Sequence, residues 1–492
     1  QGLYELTLEI RDTDESGGLI WSERLTGDVG AVWSQFDTAN LPTAGWTGTL
    51  FARVTLKALS SSEEKYSTPH IRVDNFQIYA RGEAEIEEVD LTNPYSAEDL
   101  PDLQYVQSPY GPNPDPDGPG GLKELVVVHP LYSPHRLYFD AAGTGQYVFE
   151  EITFTNPPPQ WGEGNYPCAV SSYLGRLVLA GGNDKEVTTG VLTAATETVW
   201  ATKVGRWDEF SEFDEVDPDD SIEFTSTYRS PIQWVFGHKT LLVGALEVEY
   251  IASADGIFSP GDLGVDVHST HGSARVQPVG IGQGVLFAAD QGRACRAMNY
   301  SDQDGGWVAE DASLLVPELL ASGVRRMVRL RNPHQMAALL LRNGLIAVYS
   351  SEGNLQGWSR YRVNGGTVKD ICVVPDSNGV DVPYLTVLRT VDGEKKLYLE
   401  AIPGWTDGGI YHYLTSYKLY NNPGPTITGL EHLEGKVVQV TGDGLFLGSY
   451  RVRDGEITIL DQVGDPFEMR LVAVGLSHAC RMVTLPVGKN DP

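Results

Sequence analysis

The chain reads as all-β, with an amino-terminal jelly-roll-like sandwich, a central β-propeller and a carboxy-terminal antiparallel β domain. Three observations predict this. Glycine supplies 54 of 492 residues and Tyr at 23 exceeds Phe at 14, so turns and half-buried strand positions are plentiful. Short apolar strings recur through the middle of the chain at steps of about 45 to 65 residues, the spacing of propeller blades. Near the end, the glycine and aspartate pairs Gly442-Asp-Gly444 and Asp454-Gly455 separate strand-like runs.

Residues 1–82 form the first expected element. Leu50, Ala52, Val54, Leu56 and Ala58 alternate with Arg53, Thr55 and Lys57, a half-buried strand of period two, and a further strand is expected at about Ile71 to Ala80. Trp21, Trp33 and Trp46 are available for a small core, which fits a sandwich or jelly roll. Residues 83–121 read as a linker: four glutamates lie between Glu83 and Glu88, and seven prolines follow from Pro94 to Pro119. Proline lacks the amide proton that a sheet interior requires.

Residues 122–402 carry the propeller pattern. Its strings are Leu125–Val128, Arg176–Ala180, Thr240–Val243, Val285–Ala288, Ala338–Leu341 and Tyr384–Val387, and blade number stays open. One short helix is expected near Ala312 to Ser322, ended by Gly323. Residues 403–492 form the last element, with strands at Lys436–Val440, Gly448–Val452, Glu456–Leu460 and Met469–Val474.

Composition removes several function classes. Hydrophobic residues at 41% and charged ones at 21% exclude a disordered chain. A formal charge of −30 argues against a protein that grips phosphate backbones, which would concentrate Lys and Arg. No window approaches the roughly 18 apolar residues of a membrane helix, so stable membrane insertion is not expected. Cys168, Cys295, Cys372 and Cys480 are too far apart for a Cys-x-x-Cys zinc pair and read as reduced structural thiols. Reduced thiols fit synthesis in a cytosol; the chain opens at Gln1 on a strand-like run with neither an initiator Met nor a signal-peptide pattern, as a part of a longer product would.

The search for chemistry leaves few candidates. Asn113, Asp115 and Asp117 with Gly118 and Glu124 meet the spacing of a twelve-residue calcium loop, although three prolines stiffen it. The competing reading is a proline-rich surface loop, and no other cofactor is expected. Asp266, His268 and His271 lie within six residues, yet they read as strand and turn with histidines satisfied by neighbouring carbonyls. Neither a Gly-x-Ser-x-Gly elbow nor a Walker loop occurs. Asp208 to Glu223 holds nine acids with no base among them and reads as a solvated loop. The basic concentration is Arg325, Arg326, Arg329 and Arg331. Strand alternation would put Arg325, Arg329 and Arg331 on one face, as interface candidates for carboxylates of a neighbouring blade or subunit.

Longer strings then carry a resemblance. Thr92-Asn-Pro-Tyr95 through Ser108 is followed by His129-Pro130, Pro134-His-Arg-Leu137, Tyr166–Val170 and Leu174–Gly181. Next in order come Trp200–Phe210, His268-Ser-Thr-His-Gly272, Val276-Gln-Pro278, Asn343–Tyr349 and Gly357-Trp358, and the series closes with Gly429–Gly435, Asp443-Gly444 and Thr484-Leu-Pro486. In order and spacing the series resembles the tail tubular protein B, or nozzle, family of short-tailed bacteriophages (podophages), over about Asp90 to Pro486. The resemblance implies a virion protein made in the bacterial host cytoplasm, six copies of which ring the DNA channel below the tail adaptor protein. Tail fibre or spike proteins are the other implied partners, and genomic DNA passes through the lumen during ejection without tight binding. It implies no catalytic residue. Residues 1–82 stand as an added jelly roll in place of the family's usual amino-terminal portion.

Two function classes follow. One is the structural tail protein. The other is a secreted β-propeller carbohydrate-active enzyme or lectin with a sugar-binding jelly roll, resting on the fold and on aromatics such as Trp21 and Trp46; 66 acidic residues always leave room for a carboxylate pair.

Overall fold

The computed structural model describes residues 93–108, 124–140, 146–162, 164–183, 194–211, 217–226, 228–254, 257–260, 262–352, 355–376, 379–402, 414–443, 445–459 and 471–477, together with the backbone of three amino-terminal strands. It divides into two compact units, one built mainly of residues 1–88 and one of most of the remainder. In the first unit, Leu3–Asp12 pairs antiparallel with both Leu19–Asp28 and Leu50–Ala58. The strand expected at Ile71 to Ala80 lies outside the described residues, as do Trp33 and Trp46.

The second unit is all-β and propeller-like. Five four-stranded antiparallel sheets, each in simple up-and-down order, follow one another and are succeeded by a three-stranded sheet. The first runs Gln104–Ser108, Glu124–His129, Tyr132–Phe139, Tyr147–Glu151, and the second Ala169–Tyr173, Arg176–Ala180, Thr198–Ala201, Ile222–Thr225. The third runs Ile232–Gly237, Leu241–Ala245, Glu249–Ser253, Gly264–Ser269, and the fourth Val279–Ile281, Gly284–Ala289, Ala294–Ser301, Gly306–Asp311. The fifth runs Val324–Leu330, Met336–Leu341, Ile346–Glu352, Leu355–Tyr361, and the sixth Gly366–Pro375, Asp381–Val391, Glu394–Ala401.

Each sheet buries a face against the next, and one apolar cluster fills each junction. Val126, Leu177 and Trp200 join the first sheet to the second, and Val178, Val235 and Tyr250 the second to the third. Trp234 and Phe287, with ring centres 5.4 Å apart, join the third to the fourth. Leu286 and Leu339 join the fourth to the fifth, Leu340 and Leu385 the fifth to the sixth. The sheets approach so closely that glycine is required: a Cβ on Gly237 would sit 2.0 Å from the Ser172 carbonyl oxygen of the preceding sheet.

Two expectations change. The span expected as a linker contains the first strand of the first sheet, Gln104–Ser108, whose flanking prolines Pro101 and Pro109 bound the strand without interrupting its ladder. The helix expected near Ala312 to Ser322 is a single 3-10 turn, Pro317–Leu319, followed by Gly323 at φ +83°. Leu314 and Leu315 point outward, so the apolar pattern there had no buried helix face behind it.

The carboxy-terminal sheet has the order Leu414–Asn421, Leu471–Ser477, Val437–Gly442, Leu445–Arg451. Asp454 at φ +54° and Gly455 at φ +72° make the two-residue turn that the pair implied, closed by the Arg453–Glu456 bridge. Glu434 accepts bonds from the Asp454 and Gly455 amides, which fixes that turn. Among the described residues no helix is long and apolar enough to cross a membrane.

Candidate functional site

The leading strands of the first, fifth and sixth sheets and the segment that enters the fourth line a cavity of about 180 Å³. The segment Pro101–Tyr105 crosses it and is tied to three other sheets. Gln104 Nε2 donates to the Gln233 carbonyl at 2.7 Å. The Gln277 side chain pairs with the Tyr105 peptide in both directions, accepting from its N–H at 3.2 Å and donating to its carbonyl at 2.6 Å. Arg326 donates to the Leu100 carbonyl at 3.2 Å and pairs through Nε with Asp370 of the sixth sheet at 2.6 Å. Burial raises the Tyr105 phenol, which lies within electrostatic reach of Arg326, Cys372 and Asp370.

The lining is basic in an acidic chain. Arg275, Arg325, Arg326 and Arg329 line it together with Asp102, the one carboxylate residue of the described lining. Arg325 is the bulge residue of its strand, because pairing steps from Val324 with Leu341 directly to Arg326 with Leu340. The bulge breaks strict alternation and aims both Arg325 and Arg326 inward. Arg329 lies over Gly280, where an added Cβ would come to 3.5 Å of its Nη1. Burial and then Arg331 lower the Arg329 guanidinium, partly offset by Asp381. Thus Arg325 and Arg329 reach this cavity, whereas Arg331 leans toward Asp381 at 3.9 Å.

Elsewhere buried polar groups join loops to sheets. Arg176, 1% exposed, donates to the carbonyls of Thr202, Asp220 and Pro218 at 2.8, 2.6 and 2.7 Å and to that of Asp219 at 3.3 Å. It therefore staples the described end of the acidic run that sequence read as merely solvated. Glu249, fully buried, accepts from the hydroxyls of Ser269 and Ser273 and from the His271 amide. Asp99 accepts from the Ser96 amide and hydroxyl at 2.8 Å each and from Tyr132 at 3.0 Å, with His129 Nε2 3.9 Å away. These bonds, led by the Ser96 amide, lower the Asp99 carboxyl. The grouping has the residue types of a hydrolase triad without its order, since Ser96 donates to the aspartate and not to the histidine.

His268 accepts the Trp307 amide on Nδ1 at 3.2 Å, and burial lowers its imidazole. Asp266 shares its strand, but no group of three His, Cys, Asp or Glu among the described residues is placed to hold a metal. Asn113, Asp115 and Asp117 lie outside the described residues. Glu124 begins the second strand of the first sheet, 3% exposed, among Val126, Arg136, Ile152, Trp207 and Asp208. Burial pushes its carboxyl up to about 7, with Arg136 opposing and Asp208 assisting.

Sequence reading missed Arg176, Glu249, Arg275 and Gln277. Gln277 lies in Val276-Gln-Pro278, one of the strings that carried the resemblance, Arg275 directly precedes it, and Arg176 opens an apolar string, so a polar or charged residue at a buried run was the available signal.

No protein-family model matches the chain, and no curated protein matches it. Solved structures with a likeness include the β-propeller domain of Swd1 from Myceliophteria thermophila, at 10% identity and TM-score 0.33 over 61% of this chain and 88% of that one. Another is BBS1N, solved in complex with ARL6DN, at 13% identity and TM-score 0.33 over 73% and 97%. A third is a putative 6-phosphogluconolactonase from Bacteroides uniformis, at 13% identity and TM-score 0.35 over 81% and 99%. At this distance they carry neither function nor detail of fold, and the propeller-like description rests on the six successive sheets.

Proposed function

We propose that the chain is a structural subunit of a short bacteriophage tail, six copies of which form a ring around the channel through which DNA is ejected. The observation that carries this reading is the ordered series of strings from about Asp90 to Pro486, which resembles the nozzle family along most of the chain. Two of those strings contain the polar joints at Asp99 and Arg176, and a third supplies Ser269 and His271 to the joint at Glu249; at each, side chains hold loops instead of presenting themselves to a substrate. In this reading the amino-terminal unit is a jelly-roll-like addition, the carboxy-terminal sheet is the nozzle-like part, and the ring meets an adaptor above and fibres or spikes at its side.

The charge of −30 per chain suits a conduit. A basic wall would hold passing phosphates through counterion-releasing contacts, whereas an acidic wall repels them and lets the duplex slide. Screening limits that repulsion to about 8 Å at physiological salt, so it acts where the bore is narrow. Glu431, Glu434, Asp443, Asp454 and Glu456 are the acids proposed for that part. Negative-stain microscopy of the purified protein tests the reading: six-fold rings with an open centre are expected, and isolated particles that hydrolyse or bind a polysaccharide would refute it.

A further inference from the structure

We propose that His268 is an acid-sensitive latch between the outer strands of the third and fourth sheets, closed while its imidazole is neutral and opened when the ring takes up a second proton. This inference does not rest on the tail reading.

Hydrogen-bond chemistry is the first ground. His268 lies on Gly264–Ser269 and accepts the backbone N–H of Trp307, on Gly306–Asp311, through Nδ1 at 3.2 Å. A neutral imidazole carries one proton, so accepting on Nδ1 places that proton on Nε2. A second proton can enter only at Nδ1, at the lone pair that holds the Trp307 amide. The imidazolium has two donors and no acceptor, so no rotation of the ring restores the bond. Position is the second ground. A Cβ on Gly306 would stand 2.9 Å from His268 Cε1 and Nδ1, so the ring is seated directly against the backbone of the facing strand. The Trp307 side chain is 4% exposed and packs with Trp234 and Phe287 in the cluster that joins the two sheets. His268 itself is half-buried, which leaves it open to protons from solvent.

The charged surroundings set the direction. Burial lowers the imidazole below its usual 6.5, and Asp266, on its own strand, opposes this. The neighbouring strand contributes Glu249, engaged by the hydroxyls of Ser269 and Ser273. The facing strand carries Glu310 and Asp311, with Asp302 and Asp304 in the turn before it and Tyr300 across from Trp307. His238 packs edge-on against Trp307 at 5.6 Å, and burial, then Lys239 and Arg329, lower its imidazole. Of these groups Asp266 is the one whose charge shifts His268. A folded state that binds the proton less tightly than the unfolded chain loses stability as pH falls below about 6.5, so the latch is closed at neutral pH and opens in acid.

Hydrogen–deuterium exchange of the full chain, read by mass spectrometry between about pH 8 and about pH 5, tests this. Two sites are followed together: the Trp307 amide, as a protection factor corrected for intrinsic rate, and the Cε1 hydrogen of the His268 ring, whose slow exchange reports that imidazole's own titration. Trp307 protection is expected to fall at least about tenfold, with the midpoint of the fall at the midpoint of His268. In His268→Asn the side-chain oxygen takes the place of Nδ1 and cannot be protonated in this range, so protection should match the parent at the alkaline end and stay level throughout. If that variant loses its folded circular dichroism spectrum, the coincidence of the two midpoints in the parent gives the reading. Unchanged protection in the parent, an imidazole that stays neutral across the range, midpoints that differ, or an equal fall in folded His268→Asn protein would overturn the proposal.

Discussion

Replacing Arg176 with Met removes the donor that four backbone carbonyls share while keeping a side chain of similar length. Thr202 and Pro218 to Asp220 would each lose a partner that now stands 2.6 to 3.3 Å away. Asp219 and Asp220 would also lose the cation that offsets their charge. Hydrogen bonds to a charged group contribute about 1.5–3 kcal/mol each, but they are not additive, and removing one member of a buried charged network costs about 3–5 kcal/mol. At a specific unfolding entropy of about 2.1 cal/mol/K per residue, the larger unit should melt about 4–6 °C lower. Because the chain has two units, calorimetry should be paired with hydrogen exchange, and the Ser221 and Ile222 amides should lose protection first. Arg176→Lys should fall between Met and the parent, having no fork to span four acceptors. A melting point within about 1 °C of the parent, with Ser221 still protected, would show that the guanidinium does not hold the loop.

Other residues give independent checks. Glu124 has a folded pKa of about 7 against 4.5 in the unfolded chain, so the folded state binds the proton more tightly and stability falls as pH rises through that interval. Glu124→Gln should therefore be more stable than the parent by up to about 3 kcal/mol at pH 8 and equal to it at pH 4; urea midpoints that shift equally at both would contradict this. Gly244→Ala would bring a methyl within 2.1 Å of the buried Trp234 ring, so a loss of about 3 kcal/mol or more is expected, and a wild-type midpoint would refute the packing described. The protein should not retard double-stranded DNA at physiological salt, and retardation with a steep salt dependence would argue against an acidic conduit.

Legibility followed burial. All six apolar strings picked out between Leu125 and Val387 fall on the second strand of a sheet, the strand flanked on both sides within its sheet. Where both faces are also covered by adjacent sheets, as at Arg176–Ala180 and Gly284–Ala289, every residue is buried and, apart from Arg176, the sequence becomes continuously apolar. Outer strands such as Gly264–Ser269 and Glu394–Ala401 face water and carry no such signal. The strand Gln104–Ser108 was hidden by the prolines around it, and its partners, Gln233 and Gln277, lie more than a hundred residues away. The basic cluster was visible as Arg325, Arg326, Arg329 and Arg331, but its position at a cavity was not. The bulge at Arg325 changes which face each residue takes, and Arg275 arrives from a different sheet. Alternation alone had grouped Arg325, Arg329 and Arg331, of which the last turns away toward Asp381.

The central claim is six-fold assembly, and the mass of the particle in solution tests it most directly. Mass photometry of the purified chain at rising concentration should resolve one dominant species near 322 kDa, about six times the 53.7 kDa of a single chain, because cyclic closure disfavours open intermediates. A population that remains at 53.7 kDa across the whole range would contradict the ring.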